Sequence, residues 1–542
     1  MNNFSVKKII PIDNNLSLKE CQKLLLLEGA VLGILDENRE ITSYACLEEI
    51  ERALKFDLEE KPISLIATLC KRYRPSLQEN EKEDYFIAKN PKNVDFLVKI
   101  DKKAEFFVNI KGQYQNSLTP SLQEAIKFCS QMAEEINLPI YLIGGAVRDI
   151  ILQKEVFDID ITVKESAIKF AEYMSKKHPE ICTIKGIHEP FNTAKIVIKT
   201  SNGEIDIDLA STRSEKYALP GSLPIVQTIG CELKEDIIRR DFTINALAMS
   251  LNQATFGNLI DYIGGYKDLH SKELNILHPI SFIDDPTRIL RGLKFAVRFA
   301  CNLSPITKKL QQECLKSSIF DNIGGERIKS ELKQALNLNL PKCYNKLLFD
   351  NIYRLISTEI DPSDSNIPDG EKIQNIINIH TAHIQNKELI WLIYLGCMTI
   401  GLENDEVLKI SHRLNLSGLE TKILISASNI IKNKNILLNS KSMFEVYEFF
   451  ECHFLESILI TLAASNDSKM TYYIEKYLNK LQFISISTTG KTLIERGFSA
   501  GPEFGYILRD ILKEKINGNI HTKEDEERFL DSLSIGNYQV EF

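Results

Sequence analysis

Strand-like patterning, with apolar and polar residues alternating in steps of two, is confined to roughly the first 285 residues of this 542-residue chain. Beyond that point the apolar residues recur every three or four, as in "RILRGLKFAVRF", "GGERIKSELKQAL" and "YYIEKYLNKL". A chain written this way must build its sheets first and a helical body afterwards. It is also too long for one ordinary hydrophobic core, so several domains are expected. The predicted class is α+β, with a small mixed α/β module over residues 1–118 and a second α/β region over 121–270. A helical remainder follows.

Within the first module, "AVLGILDENREITSYACLEEIERAL" reads as a strand, a turn at Asp36 to Arg39, a second strand and a helix from about Leu47. "DFLVKIDKKAEFFVNI" reads as strand, turn and strand, and "YQNSLTPSLQ" as a linker. In the next region "SLQEAIKFCSQMAEEI" has helical periodicity. "PIYLIGG", "VFDIDITV", "AKIVIKT" and "EIDIDLA" read as strands. The formal charge of -8 excludes a uniformly basic nucleic-acid binder while leaving room for a local basic track. The 11 cysteines form no C-x-x-C pair, which argues against a zinc ribbon and for free thiols in a reducing compartment. No signal peptide or membrane span is expected, and the predicted location is cytoplasmic.

"VFDIDITV" places Asp158 and Asp160 on one face of a strand, opposite Phe157, Ile159, Ile161 and Val163. Two readings fit: a solvated acidic face, or a pair of carboxylates that hold a divalent cation. The neighbourhood favours the second. Upstream, "YLIGGAVRDIIL" runs from a strand through Gly144-Gly145 into a helix, where backbone N–H groups can approach an anion and Arg148 can reach a phosphate. "EIDIDLA" aligns Glu204, Asp206 and Asp208 on one face; Asp208 is the candidate third carboxylate, as base or metal ligand. "EDIIRRDFTINALAMSL" offers Arg239 and Arg240 for phosphates and ribose and Asp241 for a ribose hydroxyl, or simply charges near the start of an apolar helix. In "FIDDPTRILRGLKFAVRF" Pro286 fits a helix start, and Asp285, Arg288, Arg291, Lys294 and Arg298 recur at helical spacing. Ion pairs on a solvated helix face would explain that pattern. So would base recognition: a carboxylate only accepts and a guanidinium only donates. Side by side, Asp285 and Arg288 match the amino donor and ring-nitrogen acceptor shared by cytosine and adenine, and reject uracil and guanine.

"GGAVRD", the following "DID", "RRDFTINALAM", "GGYKDL" and "DDPTRILRGLKF" stand in the order found in class II tRNA nucleotidyltransferases and bacterial poly(A) polymerases, which this chain resembles over about residues 121–340. "GGERIKSELKQAL" resembles the next, helical motif of that family. The resemblance implies a nucleotidyltransferase head with a mixed β-sheet over 121–270, a neck with the base-selecting helix over 271–340, and an all-α body and tail over 341–542 that bind tRNA. It implies Mg²⁺ held by Asp158 and Asp160, with nucleotide binding by Gly144, Gly145, Arg148, Arg239, Arg240, Asp241, Asn245, Asp285, Arg288 and Arg291. The expected reaction is template-independent, two-metal addition of CMP and AMP from CTP and ATP to the 3′ end of tRNA. Two departures stand out: Asp284 where the family usually has Glu, and Lys294 where it often has Arg.

"STRSEKYALPGSLPIV" resembles the flexible loop of members that add the terminal A, so the expected activity is complete CCA addition or, alternatively, A addition within a split CC/A pair. A poly(A) polymerase is a further rival that the acidic balance disfavours. A catalytically silent RNA-binding protein is disfavoured by the intact acids and arginines. "VLGILDENREITSYACLEEIERAL" resembles the core of a cystathionine-β-synthase-type (CBS) domain, and a degenerate, structural module is the expectation. Trp391 is expected in a core.

Overall fold

The structure is a computed structural model that describes residues 3–25, 30–36, 41–69, 71–72, 85–89, 95–101, 108–317, 319–320, 323–498 and 500–533. The chain divides into two compact units, Met1–Leu338 with Asp350–Leu355, and Asn339–Phe349 with Ile356–Phe542.

The first unit opens on a seven-stranded sheet of its own. The strand Asn3–Asp13 pairs parallel with Ala30–Leu35, which pairs antiparallel with Ile41–Ala45. Helices Leu18–Leu24 and Leu47–Leu54 accompany them. The expected turn after Asp36 and the second strand of "DFLVKIDKKAEFFVNI" lie largely outside the described residues; Asp95–Asp101 is the first strand of that pair. The expected linker is instead helix Lys111–Ser117, followed directly by helix Pro120–Glu135. Thr119 caps that second helix through its side chain and Pro120 begins it, so the Ser/Pro signal marked a helix start.

The head sheet runs, in spatial order, Cys182–His188, Thr193–Thr200, Gly203–Ser211, Asp160–Val163, Ile140–Ile143, Ala248–Ser250 and Leu259–Ile260. All pairs are antiparallel except Gly203–Ser211 with Asp160–Val163, which makes the sheet mixed. Helices Pro120–Glu135 and Ala167–Lys177 pack on it and bury Ile126, Cys129, Phe170 and Met174. Strict alternation sorts the side chains of the two strands that carry the acids. Ile161, Val163, Ile207 and Leu209 are buried, while Asp160, Asp206 and Asp208 stand on the other face.

Two expected elements change type or length. "VFDIDITV" becomes a strand only at Asp160; Phe157 is 74% exposed rather than aligned with Ile159, and Asp158 lies on the extended approach to the strand. "TINALAMSL", expected to be helical, forms the short turn Thr243–Asn245 and the central strand Ala248–Ser250. Periodicity does not separate a short, fully buried strand from a buried helix. "STRSEKYALPGSLPIV" contains a two-stranded ribbon, Arg213–Lys216 against Ile225–Ile229.

Beyond the head, the short helix Ser281–Asp284 leads into Thr287–Phe299, then Pro305–Ser317 and Gly325–Leu338. The second unit is helical throughout its described residues. Its centre is helix Ile390–Thr399, buried on every side against Leu455–Ala464 and Gly418–Lys432, with Trp391 1% exposed in that core.

Candidate nucleotide site

A cavity of about 660 Å³ opens where the head sheet, the segment after helix Leu233–Ile238, and helices Thr287–Phe299 and Gly325–Leu338 converge. Six arginines and six carboxylates line it. Gly144, at the end of strand Ile140–Ile143, has φ +72°, a conformation open to glycine at little cost, and its Cα lies beside the Arg240 guanidinium.

Nearly every expected residue borders this cavity, but the arginines arrive already partnered. Arg148 is buried, forks onto Asp149 at 2.9 and 3.0 Å, donates to Asn245 at 2.5 Å and lies over the Phe299 ring. Asp241 accepts from Arg291 at 2.6 and 2.8 Å and from Asn245 at 3.2 Å. Burial pushes the Asp241 carboxyl up, and Arg291 outweighs it, so the group sits below the usual carboxylate range. The expected acceptor for a ribose hydroxyl is therefore spoken for on one oxygen by a guanidinium.

Asp285 and Arg288 face the same cavity but are held by different partners. Asp285 accepts from Thr287 and from Arg327 at 2.7 Å. Arg288, 4% exposed, donates to the Ser281 hydroxyl at 2.5 Å, the Tyr217 hydroxyl at 3.2 Å and the Arg239 carbonyl at 3.0 Å. These partners, rather than each other, hold the two side chains at the cavity wall.

Asp236 organises the other wall. Completely buried, it binds Arg239 at 2.6 Å and Arg240 at 3.0 Å. Glu215 takes a second edge of Arg239 at 3.1 Å. The Arg240 Nε is buried with no hydrogen-bond partner among the described residues. The rest of the Arg240 side chain stays about one-fifth exposed at the cavity, with one terminal nitrogen beside Gly144, where an anion can meet it.

Asp160 lines the same cavity, and Asp208 is its register partner on the neighbouring parallel strand. Surrounding protein raises the Asp160 pKa, Arg240 lowers it, and the charges of Asp208 and Asp158 raise it again. Asp160 thus feels the negative charge of both neighbouring acids. Among the described residues, no three His, Cys, Asp or Glu side chains converge as a metal cluster, so Asp208 is not gathered with Asp158 and Asp160 into one. Asp206 is claimed by Lys185 at 2.7 Å and Lys195 at 3.6 Å. A pair of hard oxygen donors still suits Mg²⁺, which commonly takes one or two carboxylates and completes its shell with water and substrate phosphate.

The model of the "Poly A polymerase head domain" matches residues 140–275. The A-adding tRNA nucleotidyltransferase of Geobacter sulfurreducens is 31% identical over 413 residues, covering 74% of this chain and 46% of that protein. The A-adding enzyme of Halalkalibacterium halodurans is 27% identical, covering 78% of this chain and 95% of its own length. The Thermotoga maritima CCA-adding enzyme in complex with tRNA superposes with a TM-score of 0.66 at 26% identity, covering 79% of this chain and 99% of that one. The chain is similar to the class II tRNA nucleotidyltransferases over most of its own length. It spans about half the length of the Geobacter relative.

Residues at the site that escaped the sequence reading include Asp236, Glu215, Tyr217, Arg327 and Glu331, the last of which pairs with Arg291 and Lys294. Asp236 was legible in "EDIIRRD", three and four residues ahead of the arginines it holds. Arg327 lies inside "GGERIK", but its partner Asp285 is 42 residues away. Nothing local marks Glu215, which lies in the ribbon, or Tyr217, which directly follows its first strand.

Proposed function

We propose that this chain adds nucleotides to the 3′ end of tRNA without a nucleic-acid template, taking CTP and ATP as substrates and completing or repairing the CCA terminus. The observation that carries the reading is the half-satisfied Arg240, beside Gly144 and electrostatically coupled to Asp160. It is a phosphate-ready donor next to a carboxylate pair. Arg240 and Arg239, pinned by Asp236, hold the triphosphate; Arg148 and Asn245 brace the Gly144-Gly145 turn. Asp285 and Arg288 read an amino group beside a ring nitrogen, which selects C and A. Asp158 and Asp160 would hold Mg²⁺, which supplies charge neutralisation at the phosphates and lowers the pKa of a bound hydroxyl. Asp208 stands as a candidate base beside them.

A second reading is A addition alone, favoured by the Geobacter and Halalkalibacterium relatives, both named as A-adding enzymes. The N-terminal module is proposed as a CBS-type unit, on the order strand, helix, strand, strand, helix over residues 3–54. Buried thiols such as Cys129 and Cys314, whose pKa values burial pushes up, suit a reducing compartment such as the cytosol.

The test uses transcripts of tRNA lacking CCA, ending in C and ending in CC, each incubated with Mg²⁺ and CTP, ATP or both. Extension of all three to CCA establishes the first reading. A single A added to the CC-ended transcript alone establishes the second, and no extension of any refutes both.

A further inference from the structure

Asp284, the residue just before the base-reading Asp285, has a fully buried side chain. Its charge partner comes from the far end of the chain: Arg52, on helix Leu47–Leu54 of the N-terminal module, donates to its carboxylate at 2.5 Å. Asp284's other oxygen has no hydrogen-bond partner among the described residues. The neighbouring His278, at 3.6 Å, is held neutral by burial and by Arg288 and Arg52. Arg52 is therefore the one guanidinium that hydrogen-bonds this buried acid among the described residues. The contact is backed by a docked surface. Lys61 donates to the Ser317 carbonyl at 2.7 Å, Ser64 to Glu313 at 3.2 Å, and the turn Ile63–Leu65 packs on helix Pro305–Ser317.

Asp284 is wired onward as well. Its carbonyl accepts from the Gly221 amide at 3.0 Å, and the Gly221 carbonyl accepts from Arg327, which grips Asp285. Asp285 itself closes the short helix, with extended backbone angles of φ −144° and ψ 91°. Anything that lets the Asp284 side chain leave its buried position must turn the residue beside it.

We propose that Arg52 is a positioning residue for nucleotide selection: by anchoring Asp284, the N-terminal module holds Asp285 at the angle that reads the base. This rests on the proposed nucleotide-adding function. Without Arg52 the buried carboxylate has no hydrogen-bonding cation, and either protonates or drags its segment toward water. Asp285 then loses its register with Arg288 while the triphosphate-binding wall stays intact. The module thereby acts on the site without touching substrate.

The experiment uses the full chain with Mg²⁺. For wild type, Arg52→Met, Arg52→Lys and Arg52→Met/Asp284→Asn, the affinities for ATP and GTP are measured by calorimetry, with KM and kcat for AMP addition to a CC-ended tRNA and the thermal midpoint alongside. Arg52→Met should weaken ATP binding and raise its KM about tenfold, shrink the ATP-over-GTP ratio by a similar factor, and change kcat less than twofold. Arg52→Lys, which keeps a charge, and the double variant, which removes both, should recover most of the ratio. A wild-type ratio in Arg52→Met, with or without a lower thermal midpoint, overturns the proposal, as does failure of both recovery variants. A wild-type chain that prefers ATP to GTP but adds nothing to tRNA refutes the proposed function and leaves the Arg52 test standing on binding. A wild-type chain with no preference overturns both.

Discussion

Replacing Asp236 by Asn keeps the shape of the most buried anion at the site and removes its charge. Burial raises this carboxyl, but Arg240 and Arg239 outweigh it and hold it below the ordinary value, so it is ionised near neutrality. The Asn amide would turn a donor toward guanidiniums that only donate. Arg239 keeps Glu215 at 3.1 Å, but Arg240, whose Nε is already unmet, loses its carboxylate. Breaking a buried ion pair costs about 3–5 kcal/mol. Both arginine side chains remain about one-fifth exposed at the cavity, so water recovers part of this and we expect the lower end, about 3 kcal/mol. The head belongs to a unit that runs from Met1 to Leu338 with Asp350–Leu355; at about 2 cal/mol/K of unfolding entropy per residue, the calorimetric midpoint of its transition falls by about 4 °C. Pyrophosphate supplies the missing anion. It should therefore raise the midpoint of Asp236→Asn more than that of wild type, because ligand stabilisation grows with affinity for the folded state. An unchanged midpoint in the absence of ligand, or equal pyrophosphate shifts in the two proteins, would refute the view that Asp236 is the counter-ion of the phosphate-binding arginines.

Three further outcomes are expected. Asp160→Ala should abolish nucleotide incorporation while leaving the circular dichroism spectrum and thermal midpoint near wild type, since the side chain opens onto the cavity; appreciable incorporation would sink the metal-holding role. Arg288→Ala should relax preference among the four nucleotides before it weakens triphosphate binding, because Arg288 donates to Ser281, Tyr217 and the Arg239 backbone carbonyl and to no side chain proposed to hold phosphate; single-nucleotide incorporation with each triphosphate reads this, and an unchanged preference refutes it. Asp284 is pushed up to about 6, chiefly by burial, against the pull of Arg52 and Arg288 and with the charge of Asp285 adding to the rise. The folded state therefore holds this proton more tightly than the unfolded chain does. The resulting stability is fully present below the ordinary carboxylate value and is lost as pH rises through about 6. Urea midpoints should fall less from pH 4.5 to pH 7 in Asp284→Asn than in wild type; parallel profiles would count against a buried, proton-holding Asp284.

Much of this protein was settled by local pattern. Alternation in "EIDIDLA" placed Ile207 and Leu209 in the core and Asp206 and Asp208 on the open face, because a pleated strand has no other way to sort its side chains. The 3.6-residue repeat forecast the helices beyond residue 285, and the ordered motifs contain most of the residues that border one cavity, though Asp158 and Asp208 are not in its lining. What the pattern could not settle was partnership across sequence distance. Phe157 leaves the face that alternation assigned it because the strand begins only at Asp160, where the neighbouring strand Gly203–Ser211 starts to supply hydrogen bonds. "ALAMS" became a strand because Ile140–Ile143 offered an open edge, a fact absent from its own residues. Asp285 is clamped by Arg327, Arg288 by Tyr217, and Asp284 by Arg52 across 232 positions. Charge and spacing name the groups that can bind a phosphate or a base. Only the folded chain decides which of them are already neutralised by one another and which, like Arg240, still have a donor to offer, because that balance depends on burial and on distances the sequence does not contain.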